Sequence, residues 1–293
     1  MNLNLLRVFV QVVEAESFTR AAETLDISQP AVSRAIRELE AQLDTVLLER
    51  QGRGFKASEA GRVLFDYGRS IFALERKADE ALRSFWTVER GRLTIGASTT
   101  IAGYWLPPLL ARFQRKYPMV EICLVSANTA QVADLLLECR VDVALVEGQL
   151  NDERLDIRPW RSEQMVVLAP KGPAKRGSGL EGAVDLRKMA DATWVVREPG
   201  SGSRNVTEQA LDGLGLSAVR RMEVGSNEAI VQSVAAGLGL GIVPRICARD
   251  QLALGRVRAI ATDLGVIERS LFRVRLPQRP LSHAAVAFEA LLA

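Results

Sequence analysis

The sequence predicts a mainly helical N-terminal head, one long helix, and an α/β body of two lobes. Three observations carry this reading. Two short amphipathic helices flank a tight turn between Ser17 and Leu43, a 3.5-residue apolar repeat starts at Leu64, and strand and helix patterns alternate from Arg92 onward. With 293 residues, 48% hydrophobic and 25% charged, the chain has enough apolar surface for more than one core and is not of disordered composition.

The head begins with Leu5, Leu6, Phe9, Val12 and Val13, the inner face of a first helix. In the second helix, Phe18, Ala21, Ala22 and Leu25 fall at i, i+3, i+4 and i+7, and the small residues permit a close helix crossing. Asp26-Ile27-Ser28 breaks that helix. Ser28 caps the next one, and Pro30 is tolerated in its first turn, where the N–H groups have no intrahelical partner.

On the third helix, Val32, Ile36, Leu39 and Leu43 occupy one narrow sector, with Pro30, Arg34 and Arg37 opposite and Gln29 and Ser33 on the flank. An amide, a hydroxyl and guanidinium groups at one solvent-facing helix end are the groups that read base edges and clamp phosphates. A surface helix with a solvated arginine face shares this pattern, so the neighbouring segment matters. It reads as a hairpin: Val46 to Glu49 is extended, Arg50-Gln51-Gly52-Arg53-Gly54 turns, and Phe55-Lys56 returns. Such a wing places Arg50 or Arg53 near a nucleic-acid backbone or minor groove. Bulk charge does not help, because residues 1–90 carry 13 Lys/Arg against 14 Asp/Glu.

Ser58 caps a long helix expected to run to about Val88. Leu64, Tyr67, Ile71, Leu74, Ala78 and Ala81 repeat at the coiled-coil spacing and predict a dimer seam. The expected division is 1–58 for the head, 59–90 for the linker helix and 91–293 for the body. Within the body, lobe I covers about 91–161 and 267–293 and lobe II about 162–266.

The body reads as strand 93–97, helix 101–116, strand 120–125, helix 131–139 and strand 141–146. A second series follows: strands 164–169 and 193–196, a helix after Ser203, a strand near 221–224, a helix 227–236 and strand 240–243. A final strand 270–276 and a helix from Ser282 return to the first lobe. This βαβ succession predicts parallel sheets with a cleft where strand ends and helix starts converge. Ser98-Thr99-Thr100, Ser201-Gly202-Ser203 and Ser226-Asn227 fall at three such junctions, and Glu147 closes the strand run ALVEG. Each Ser or Thr alone is an ordinary helix cap; together they predict a cleft of hydroxyls and free N–H groups suited to a small anion.

Catalysis is not expected. The single histidine, His283, sits in the last segment, and PGSGSR does not fit the GxSxG elbow. Gly237-Leu238-Gly239-Leu240-Gly241 ends a helix and enters a strand, the reverse of a dinucleotide loop, and Lys171 to Gly182 lacks GK[ST]. Cys123, Cys139 and Cys247 are widely spaced and not arranged as CxxC, so buried thiols are expected and no metal or cofactor. No signal-like leader or spanning segment is read, which predicts a cytoplasmic protein.

The run FTRAAETLDISQPAVSRAIRELEAQL, the wing LLERQGRGFKASEAG and the two-lobed remainder resemble LysR-type transcriptional regulators over essentially the whole chain. The resemblance implies a winged helix-turn-helix, a dimerising linker helix and a periplasmic-binding-protein-like effector domain. It also implies a tetramer built as a dimer of dimers on double-stranded DNA, with RNA polymerase as a partner, and the twofold symmetry of the expected dimer seam predicts an inverted-repeat operator. The DNA contacts it implies fall on Gln29, Pro30, Ser33, Arg34, Arg50 and Arg53. Leu48 and Ala57-Ser58 depart from the family's common Phe and Leu-Thr. GASTTIAGYWLPPLLARF, ALVEG and REPGSGSR look most like the subgroup of sulfite-responsive and carbon-fixation regulators, which implies an inorganic oxoanion or a short carboxylate or phosphate metabolite as effector. A stand-alone solute-binding protein or an enzyme explains only part of these features.

Overall fold

The structure is a computed structural model that describes residues 1–51, 54–83, 91–171, 186, 191–216, 219–261, 265–277 and 279–292. The chain forms two compact units, the first built on Met1–Arg83 and the second on most of the residues that follow.

In the first unit, α1 (Leu3–Ala15), α2 (Phe18–Leu25) and α3 (Gln29–Leu43) surround a core of Leu6, Phe9, Val12, Ala21, Val32 and Leu39. Ser17 and Ser28 cap α2 and α3, their hydroxyls accepting from Arg20 N and Ala31 N. All three helices end on an acidic residue in the left-handed region, Glu16, Asp26 and Asp44. Those reversals shape the turn between α2 and α3 without glycine. The wing is an antiparallel pair, β1 (Leu48–Gln51) and β2 (Gly54–Ala57). It starts later than expected because Leu47 is buried and its N–H, with that of Leu48, is held by the Glu40 carboxylate of α3 at 2.7 and 3.1 Å.

The long helix α4 (Glu59–Arg83) starts at Ser58, whose hydroxyl accepts from Gly61 N at 2.9 Å and donates to Val46 O at 2.7 Å. The rest of the expected helix lies outside the described residues. One face of α4 belongs to the head: Phe72 is in its core, and Gly68 lies against Leu6 and Val10. Leu64 and Ile71 are partly buried against the same core, whereas Tyr67, Leu74 and Ala78 are exposed. The seam expected from spacing is thus divided between packing within the chain and a free face; nothing is described for the Ala81 side chain.

The second unit holds a seven-stranded sheet ordered β10-β6-β11-β5-β3-β4, with β9 also paired to β6, and a separate pair β7-β8. The parallel expectation holds for β3 (Gly91–Ser98) with β4 (Val120–Ala127), β3 with β5 (Val143–Glu147), and β7 (Thr193–Arg197) with β8 (Arg220–Val224). It fails for β6 (Asp156–Pro170), β9 (Gly241–Pro244), β10 (Val257–Ile260) and β11 (Ile267–Arg275), which pair antiparallel. The reason is that β6 and β11 are long strands shared by both halves and run against each other. Pro159 and Trp160 hide the length of β6 in the sequence; both fall at the register shift opposite Leu271 and Phe272, where a regular ladder N–H is not needed.

The expected helix 101–116 is two pieces, a π-helical turn Ile101–Trp105 and α5 (Leu106–Lys116). Pro107 and Pro108 have no N–H to continue a helix from residue 101, so α5 starts afresh. With α10 (His283–Leu292), α5 covers one side of β3, β4 and β5 through Phe113, Leu109 and Phe288. Ser282 caps α10, accepting from Ala285 N at 3.2 Å. In the other half, α7 (Gly202–Gly213), α8 (Asn227–Ala235) and α9 (Arg245–Ala253) pack on β6, β7 and β9. The weakly amphipathic α9 and the short β10 go unsignalled in the sequence pattern. Between β4 and β5 lies α6 (Thr129–Leu137).

Candidate functional site

The outer side of α3 is built by exclusion. Val32, Ile36 and Leu39 are buried, which turns Gln29, Pro30, Arg34 and Arg37 to solvent and leaves Ser33 half-buried. Gln29 Nε2 donates to Ser33 Oγ at 3.2 Å, so amide and hydroxyl are presented together. Arg37 Nε donates back to Ser33 O at 3.2 Å, which holds that guanidinium along its own helix. Between α3 and the wing is an open concavity of about 650 Å³, lined among others by Gln29, Ser33, Arg37, Glu40, Arg50 and Phe55. Phe55 packs edge-on against Phe18 of α2 at 5.0 Å, which fixes the wing to the helices. Arg50 is exposed on β1; Arg53 lies outside the described residues. Glu40, a turn further along α3, is the clamp that sets wing against helix.

The second site lies where the ends of β3 and β5 meet the starts of α7 and α8. Ser98 and Thr100 are buried at the end of β3 and just beyond it. The Ser98 hydroxyl donates to the Glu147 carboxylate. Thr100 Oγ1 accepts from Asn227 Nδ2 at 2.8 Å, and the same amide donates to Ser203 Oγ at 2.9 Å. Thr99 Oγ1 accepts from Arg197 Nη1 at 3.2 Å. These bonds tie the β3 end to α7, α8 and β7 in one buried polar cluster. Gly202 extends the closure, because it sits on the Glu147 carbonyl and Gly148 with no room for a side chain. Ser226 serves as the cap of α8, accepting from Ala229 N at 3.0 Å. Ser201 Oγ and Asn227 Oδ1 are buried with no hydrogen-bond partner, an unmet demand at the mouths of two helices.

Three charged residues at the centre have no clear sequence signal. Arg269 on β11 is fully buried, at 3.2 Å from Glu147 and 2.5 Å from Glu163, and its Nη1 donates to Ser203 Oγ at 2.6 Å. Glu163 on β6 also accepts from Trp105 Nε1 at 3.1 Å. Arg197, equally buried, forks onto Glu198 at 2.7 and 2.8 Å. Arg197 at least ends the otherwise apolar strand TWVVR, but Glu163 and Arg269 sit among other charges in β6 and β11, which is how an exposed or edge strand reads.

Burial pushes the Glu147 carboxyl above the usual carboxylate range; Arg269 opposes the shift and Glu163 adds to it. Burial also works against the Glu198 charge, but hydrogen bonds from Arg197 outweigh it and hold that carboxyl low. Burial pushes the Cys247 thiol, 3.9 Å from Thr100 Oγ1, far up, so it is not an activated nucleophile.

A winged helix-turn-helix head and a two-lobed α/β body with a buried polar cluster where β3 and β5 meet α7 and α8 define a one-chain regulator that joins a DNA-binding module to a ligand-binding one. The family profile described as a bacterial regulatory helix-turn-helix protein of the lysR family matches residues 3–62, and the LysR substrate binding domain matches residues 87–293. The chain belongs to the LysR family of transcriptional regulators, which are not enzymes. It is 34% identical over 289 residues to the HTH-type transcriptional regulator YeiE of Escherichia coli K12, covering 98% of this chain and 96% of that one. It is 33% identical to the RuBisCO operon transcriptional regulator of Allochromatium vinosum, covering 98% and 94%. The regulatory domain of CcmR from Synechocystis PCC6803, solved in complex with 2-PG, superposes on 69% of this chain and 95% of its own with a TM-score of 0.60 at 25% identity.

Proposed function

We propose that this regulator reads an inverted-repeat operator through Gln29, Pro30, Ser33, Arg34, Arg37 and the wing residues Arg50 and Arg53, and that a small anion in the inter-lobe cleft modulates its promoter binding. The working division is 1–58, 59–90 and 91–293. In this reading the protein is a cytoplasmic homo-oligomer, a dimer of dimers that meets RNA polymerase at its promoters. Among the described residues no helix is long and apolar enough to cross a membrane, which accords with it.

The observation that carries the effector half is the buried, unpartnered Ser201 hydroxyl beside the N-termini of α7 and α8, a donor free to point at an anion; the unpartnered Asn227 Oδ1 next to it accepts, and suits a hydroxyl or protonated oxygen on the same ligand. Two helix starts lend N–H groups and dipole ends to a ligand, each worth roughly 0.3 to 1 kcal/mol toward an anion. A relative's regulatory domain in complex with 2-PG supports a small-molecule effector in this part of the fold.

For the DNA half, Arg34→Ala is the direct test. Arg34 is exposed opposite the buried stripe, so the variant folds normally and loses about 1 to 3 kcal/mol of operator affinity if the guanidinium contacts a base. A gel-shift titration over several salt concentrations reads this; unchanged affinity and salt slope remove Arg34 from the interface.

The free face of α4 supplies the oligomer contact in this reading. Tyr67 is 66% exposed and Leu74 48%, and both belong to the 3.5-residue repeat. Tyr67→Asp with Leu74→Asp places two charges in the seam without touching the core of the head. Sedimentation velocity is expected to show a smaller species with weakened operator binding; the parent sedimentation coefficient would move the interface elsewhere.

A further inference from the structure

Among the described residues, the cleft that the proposed reading assigns to an anion holds no spare positive charge. Arg269 faces Glu147 from β11 and is shared with Glu163 from β6. Arg197 faces it from β7 but is closed by Glu198. The groups nearest from β3, α7 and α8, namely Ser98, Ser203 and Asn227, are neutral. Two guanidinium groups thus stand against three carboxylates, so the ionised cluster carries a net charge of −1. Adding an anion to a buried, net-negative cluster is opposed by Coulomb repulsion in a poorly screened interior.

The position of Glu147 sharpens this conflict. Its carboxylate occupies the Ser98 hydroxyl and one edge of Arg269, the same donors an anion in this cleft needs. The unpartnered Ser201 hydroxyl, a donor, marks the neighbouring ligand space, and the acceptor Asn227 Oδ1 beside it is met only by an O–H on the ligand. Glu147 is therefore an internal occupant of the anion site.

We propose that anion binding in this cleft is coupled to the uptake of one proton from solvent by the Glu147 carboxylate. Once neutral, the carboxyl gives up its claim on Arg269, turns from acceptor to donor at one oxygen, and leaves the guanidinium and the Ser98 hydroxyl to the ligand. The cluster then keeps its net charge of −1 when a monoanion enters, and reaches −2 rather than −3 with a dianion such as sulfate. Burial, which favours the neutral form of Glu147 over the charged one, assists the step. The ligand class is a small oxoanion, inorganic or carried on a short metabolite, and its apparent affinity rises as pH falls.

This rests on the anion reading of the cleft, and the test separates the two. Sulfate is the main probe because it does not titrate near neutral pH, so any proton counted belongs to the protein. Full-length protein is titrated with sodium sulfate by calorimetry from about pH 6 to 8, in buffers of different ionisation enthalpy. The parent protein is expected to take up close to one proton per sulfate, with affinity rising up to about tenfold per unit fall in pH. E147Q is expected to show no proton uptake, a flat pH profile, and tighter sulfate binding than the parent at the alkaline end. Sulfate binding by the parent without proton uptake overturns the proposal even if E147Q does not fold. Weaker binding by a folded E147Q, or uptake that persists in it, also overturns it while leaving the anion cleft intact. If neither protein binds sulfate or inorganic phosphate, the anion reading itself falls.

Discussion

Arg269→Ala is expected to lower the melting temperature of the effector domain by about 6 to 20 °C at neutral pH. The guanidinium is fully buried and is shared by Glu147 and Glu163, with Ser203 as a third partner. Removing it leaves two buried carboxylates without their cation. Breaking a buried ion pair by deleting one partner costs roughly 3 to 5 kcal/mol, and for a domain of this size each kcal/mol is worth about 2 to 4 °C. The loss has a pH signature. Glu147 already has a raised proton affinity in the folded protein, so between the ordinary carboxylate value and its raised folded value the native state holds a proton that the unfolded chain has released. Stability from that proton grows as pH falls and is lost as pH rises through the raised value. Without Arg269 this dependence steepens, so the deficit against the parent shrinks in acid, and adding Glu147→Gln recovers part of it at neutral pH. Differential scanning calorimetry at several pH values checks both. A melting temperature within about 2 °C of the parent would mean that the two carboxylates find other partners.

Gly202→Ala and Gly213→Ala, at the two ends of α7, are expected to act in opposite directions. A Cβ at Gly202 would press into the Glu147 carbonyl, and one at Gly148 would lie 2.6 Å from the Gly202 Cα. These are backbone atoms at the junction of the two lobes, with no rotamer to give way. The alanine therefore costs on the order of 1 to 3 kcal/mol, or is accommodated by opening the cleft, with faster hydrogen exchange at the start of α7. At Gly213 nothing lies within 4 Å of the added methyl, so alanine gains up to about 0.5 to 1 kcal/mol of helix propensity. Equal effects at the two positions would mean that the close approach at the cleft contributes nothing. The contrast is sharp because both changes are the same chemical step in one helix.

The head was the most legible part of the chain, because its elements are local. Ser17 and Ser28 cap helices a few residues away, and the stripe Val32, Ile36, Leu39 repeats within one helix, so spacing alone orients Gln29, Ser33 and Arg34 outward. Glu40 shows where that logic stops: its carboxylate reaches seven and eight residues ahead to hold Leu47 and Leu48, a bond no periodicity announces. On α4 the repeat was visible, but spacing could not say that Leu64 and Ile71 also pack against the head's own core while Tyr67 and Leu74 remain exposed.

By itself the sequence determined the order of the parts: a winged helix-turn-helix head, a long helix and an α/β body, with hydroxyl-rich junctions at Ser98–Thr100, Ser201–Ser203 and Asn227. Each depends on neighbours within one or two turns of chain, and such patterns are written in linear spacing. The tertiary structure alone decided that β6 and β11 are shared antiparallel strands, and that they carry Glu163 and Arg269, 106 residues apart, into one buried ion pair beside Glu147. Coulomb interactions act through space and strengthen as water is excluded, so the charge balance of the cleft exists only once these strands are packed.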